Sequence, residues 1–66
     1  MTEFKINQIG IAEAWCLRNI GPRMFYLHNR IGGEGWQILR QDNAVLLRID
    51  DDKKALMAAL TIGGQQ

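Results

Sequence analysis

Between Trp36 and Ile49 lies the pattern that most restricts how this chain can fold: two apolar–polar alternations, WQILRQ and AVLLRI, separated only by Asp42 and Asn43. A period of two marks a strand with one buried face, and a two-residue gap between two such runs marks a hairpin. A turn at Asp42–Asn43 sets Gln41 opposite Ala44, Arg40 opposite Val45, Leu39 opposite Leu46, Ile38 opposite Leu47, Gln37 opposite Arg48 and Trp36 opposite Ile49. One face then collects Trp36, Ile38, Val45, Leu47 and Ile49, and the other shows Gln37, Gln41 and Arg48 around the pair Leu39 and Leu46. A slip of one residue breaks these rows, so the side-chain pattern itself selects the register.

The flanking segments supply the cover for that apolar face. Asp50, Asp51 and Asp52 precede KKALMAALTI, which predicts a helix over Asp51 to Ile62, with acidic residues at its positive end and Gly63 as a left-handed terminator. A second helix is expected from Gly10 to Ile20, stopped by Gly21 and Pro22. Its residues Ile9, Ala12, Cys16 and Ile20 form one apolar stripe, with Ile11 and Trp15 beside it. EFKIN near the start alternates like a short edge strand. The segment PRMFYLHNRI fits either a helix opened by Pro22 or a strand, and its aromatic pair Phe25 and Tyr26 favours the strand. RIGGEGW then reads as a hairpin loop whose glycines supply positive backbone angles. The expected architecture is α+β, a three- or four-stranded antiparallel sheet with two helices on one face in the order β-α-β-β-β-α. It forms one domain over residues 1–66, with loose ends at 1–3 and 63–66.

A 66-residue chain buries only about 60% of the surface its unfolded form exposes, so chains of this size commonly need reinforcement. With Cys16 the one cysteine, neither an intrachain disulfide nor a thiol-based zinc site is available. Self-association is the remaining route. After Lys54 the second helix is apolar on nearly every side, which calls for more than one neighbour. Leu39, Leu46, Met57 and Leu60 are therefore the candidate self-association residues. A net charge of +1 provides no overall field toward nucleic acid or anionic lipid. The absence of a basic-then-apolar leader or a bilayer-length apolar run leads to the expectation of a cytoplasmic protein with no membrane partner.

Motifs with a chemical meaning fail at specific points. After Gly35 come Trp36, Gln37 and Ile38, where a P-loop needs Lys and Ser or Thr, and the dinucleotide fingerprint would place its last glycine at Ile38. Cys16 and His28 are a possible nucleophile and base, but Cys16 lies on an apolar stripe and no third polar partner is evident. DDDKK lacks the alternating ligands, glycine and closing glutamate of a calcium loop. No catalytic residue, metal or cofactor is expected. Arg23, Tyr26, His28, Arg30 and Trp36 form the candidate binding surface, since guanidinium and aromatic groups suit both single-stranded nucleic acid and protein interfaces. No stretch resembles a known family closely enough to carry a function. The expectation is a small non-catalytic protein that self-associates and binds another macromolecule, of the size of phage accessory or inhibitor proteins. Single-stranded nucleic-acid binding, or a nucleotide-like ligand at a subunit interface near the glycine loop, are the alternatives.

Overall fold

In a computed structural model of the protein, residues 1–62 are described; the expected terminator Gly63 and the tail 63–66 lie outside the described residues. The elements are β1 (Thr2–Ile6), α1 (Ile9–Asn19), β2 (Arg23–Leu27), β3 (Arg30–Gly33), β4 (Trp36–Gln41), β5 (Ala44–Ile49) and α2 (Asp52–Thr61). The strands form one antiparallel sheet in the order β1-β5-β4-β3-β2. Because β1 and β2 are the two edges, the connection that carries α1 must cross the sheet.

The β4–β5 register matches the sequence expectation at all six pairs, from Gln41↔Ala44 to Trp36↔Ile49. Asp42 occupies the turn at φ 51, a left-handed conformation that Asp tolerates better than most side chains. Extending the rows outward places Phe4 with Leu47 and Ile38, and Ile31 with Ile38, on the same face. That face meets Ala12, Trp15 and Cys16 of α1, Ala55 and Ala58 of α2, and Ile62 just beyond it, in a single buried cluster. Both helices thus cover one side of the sheet, as expected.

The sheet has five strands rather than three or four. RIGG, expected as loop, is β3, and the true connection to β4 is only Glu34 and Gly35, with Gly35 at φ +86. Two consecutive glycines carry little strand propensity, but each is covered by an aromatic ring. A Cβ on Gly32 would lie 2.1 Å from Cζ of Phe25, and one on Gly33 would lie 2.2 Å from Cε2 of Trp36. Each ring therefore occupies the space a side chain would fill, as when an aromatic packs over a glycine on a neighbouring strand. The chain also reverses at His28–Asn29, so PRMFYLHNRI, expected as one strand, is β2, a turn and the start of β3, with an irregularity between Arg23 and Phe25.

The first residues join the sheet edge and the start of α2. Thr2 pairs with Ile49 in β1, its hydroxyl donates to Asp52 at 2.9 Å, and the amino terminus donates to the same carboxylate at 3.0 Å. Asp51 caps α2 by accepting from the backbone N–H of Lys53 (2.9 Å) and Lys54 (3.3 Å).

Candidate interaction surface

The register assigns the other face of the sheet residue by residue. Phe25, Gly32, Gln37, Arg48 and Glu3 form one row across it, and Leu27, Arg30, Leu39, Leu46 and Lys5 form the next. Neither α1 nor α2 packs there. Phe25, Leu39 and Leu46 are half-buried by their neighbours and Leu27 is 50% exposed. The apolar centre is bordered by charge. Arg48 donates to Glu3 at 2.9 Å across β5 and β1, and the Arg30 guanidinium lies 5.5 Å from the centre of the Phe25 ring, within cation–π range.

The residues read from sequence as one binding surface separate in the structure. Arg30 lies on this bare face, whereas Tyr26 pairs with Ile31 and so shares the helix-bearing side, and His28 is at the hairpin tip. The reversal at His28–Asn29 causes the separation. Arg23 donates to Glu13 of α1 at 3.0 Å and lies 5.4 Å from the centre of the Tyr26 ring. Trp36 is 1% exposed, and its Nε1 donates to the Gly21 carbonyl at 3.0 Å; it belongs to the core and is closed to a ligand. Phe25 is the aromatic that the sequence reading missed. Its signal was present in Gly32, a residue on a strand that needs a neighbour to cover it.

The candidate self-association residues fall into two patches on opposite sides of the molecule. Leu39 and Leu46 are cross-strand partners at the middle of the bare face. Met57 and Leu60 stand on the outer side of α2 with Leu56; Leu60 is 74% exposed. Ile11 and Leu17 are also exposed on α1.

Near the β2–β3 turn, on the helix-bearing side, a pocket of about 220 Å³ opens between the start of α1 and the sheet. Ile9, Ile31 and Ile38 line it together with Tyr26, His28 and Arg40. Arg40 also borders a shallower cleft of about 310 Å³ with Asn29, Leu39 and Gln41.

Cys16 is fully buried, and burial pushes its thiol up to about 12, with the Glu13 carboxylate adding to the rise. A thiol in that state is a packed hydrophobe rather than a nucleophile at neutral pH. Exposed His28 makes no hydrogen bond to it. Among the described residues no group of three His, Cys, Asp or Glu side chains could hold a metal ion, and no helix is long and apolar enough to cross a membrane. Compared with known proteins, the chain matches no family model, no curated protein and no solved structure.

Proposed function

We propose that this chain is a small non-catalytic interaction protein that self-associates through its bare sheet face and acts by occupying the surface of another macromolecule. The observation that carries the reading is the contrast within one sheet: helices bury one side, while on the other Leu27 is half exposed and Phe25, Leu39 and Leu46 are only half-buried, with neither helix over them. Exposed apolar side chains gathered in one patch mark interaction sites more often than scattered ones.

Sedimentation across a concentration series tests this reading. The wild-type chain sediments as a dimer, and Leu46→Glu, which sets two carboxylates against each other across the interface, sediments as a monomer. A wild-type chain that stays monomeric at about millimolar concentration, where even weak pairs assemble, overturns it.

Nucleic-acid binding keeps one specific support, the Arg30 guanidinium over Phe25 on the bare face. A flat sheet presenting an aromatic and cationic groups can stack and pair with unpaired bases. Anisotropy of a labelled oligonucleotide at low salt discriminates the two: salt-sensitive binding lost in Phe25→Ala favours this second reading.

A further inference from the structure

We infer that the pocket beside the β2–β3 turn binds a small amphiphilic carboxylate, with Arg40 holding the carboxylate and the isoleucine floor holding its aliphatic or single-ring body. On β4 the residues that face the helices are Trp36, Ile38 and Arg40. The first two are buried in the core, and the third places a guanidinium where the apolar row would continue. Among the described residues the ion pairs engage Arg23, Arg48 and the amino terminus, and no carboxylate or hydrogen-bond acceptor meets the Arg40 side chain. Among the described residues that line the pocket none is acidic.

Three features together define the ligand. Ile9, Ile31 and Ile38 offer an apolar floor, which favours a ligand with a hydrocarbon body over a fully hydrated inorganic anion. The planar guanidinium of Arg40 matches a carboxylate with two parallel N–H···O bonds. The volume of about 220 Å³ is below that of pockets for drug-sized ligands and suits a body of a few carbons or one ring. Arg30 also lines the pocket, but its guanidinium lies 5.5 Å from the Phe25 ring centre on the opposite face of the sheet, so the charge on the isoleucine side comes from Arg40.

Amide chemical shifts of the full chain, titrated with 4-methylpentanoate, provide the test. Saturable shifts at Tyr26, Ile31, Ile38 and Arg40 are expected, with millimolar affinity for so small a ligand. The uncharged analogue 4-methylpentanamide, and the acid added to Arg40→Gln, should each bind at least about tenfold more weakly, as loss of a charge-assisted pair requires. Arg40 is exposed, so this variant retains the wild-type spectrum elsewhere. Ile9→Ala, at a partly buried position on the pocket wall, is a second variant that keeps the fold and weakens the acid through the floor. The inference is overturned if the acid produces no saturable shifts at these residues, if the amide binds as well as the acid, or if inorganic phosphate produces the same shifts with the same affinity. Because the readout is independent of oligomeric state, its failure leaves the bare-face reading intact.

Discussion

Gly32 and Gly33 are consecutive on β3, each lies under an aromatic ring, and the two rings are on opposite sides of the sheet. Over Gly33 the Trp36 indole is locked from every direction: by the helices above, by Ile49 beside it and by the bond from its Nε1 to Gly21. Over Gly32 the Phe25 ring has the sheet beneath it and Arg30 beside it, and no second layer. The same local device thus serves two ends. Inside, it completes a core; outside, it leaves half an aromatic ring for something else to cover.

Removing the inner ring has the largest expected effect. Trp36→Ala should cost about 3–5 kcal/mol, the range for deleting a large core aromatic, and it also strips the Gly21 carbonyl of its donor. Against the total stability of about 3–10 kcal/mol that a chain of this length supports, loss of the cooperative thermal transition in circular dichroism is the expected result. Gly33→Ala comes next, because its Cβ would strike an indole that cannot move; about 1–3 kcal/mol is expected from overpacking. Gly32→Ala strikes Phe25, whose ring can swing toward solvent, so its cost should stay below about 1 kcal/mol. Urea midpoints rank the two variants, and a larger loss at Gly32 than at Gly33 would break the distinction between locked and free rings. Gly35→Ala falls between them at about 1–2 kcal/mol, since its φ of +86 puts any Cβ-bearing residue in the left-handed region.

Two titrating groups extend the inside–outside contrast to pH. The Cys16 thiol is raised in the folded protein from the ordinary 9.0 to about 12, so above pH 9 the unfolded chain releases a proton that the folded one keeps. Its contribution is therefore complete below about pH 9 and is lost as pH rises toward 12, with a slope of up to about 1.4 kcal/mol per pH unit. Comparing urea unfolding of wild type and Cys16→Ala across this window isolates it; parallel pH profiles would show the thiol to be solvated. Asp52 is the smallest effect. Its carboxyl is held below the ordinary range by the bond from the amino terminus, then by the Thr2 hydroxyl, then by the nearby positive charge. A depressed carboxylate contributes stability above its unfolded value and loses it as pH falls through the folded one. Being exposed, it gives Asp52→Asn only a slight loss of stability at neutral pH, which vanishes in acid.

The β4–β5 hairpin was legible because its two strands are neighbours in sequence and its alternation carries only one register that sorts apolar from polar. α2 was legible for a similar reason: Asp51 marks its start, and the cap bonds it makes are local. β3 was not. Its glycines hold no side-chain pattern, and what makes them strand residues is Phe25 from β2 and Trp36 from β4 folding over them. A loop in place of β3 hides the reversal at His28–Asn29, and with it the faces of Tyr26 and Arg30.

The sequence by itself determined the class of fold, the central hairpin and its register, both helices, and the apolar face that they cover, because each follows from a short-range period or a cap. Tertiary structure alone decided that the sheet has five strands, that Trp36 is enclosed while Phe25 is half-buried, and that Arg40 stands beside a pocket with no ion-pair partner among the described residues. Those features depend on which strands become neighbours in space, and a residue on one strand carries no local mark of the ring that a different strand will lay over it.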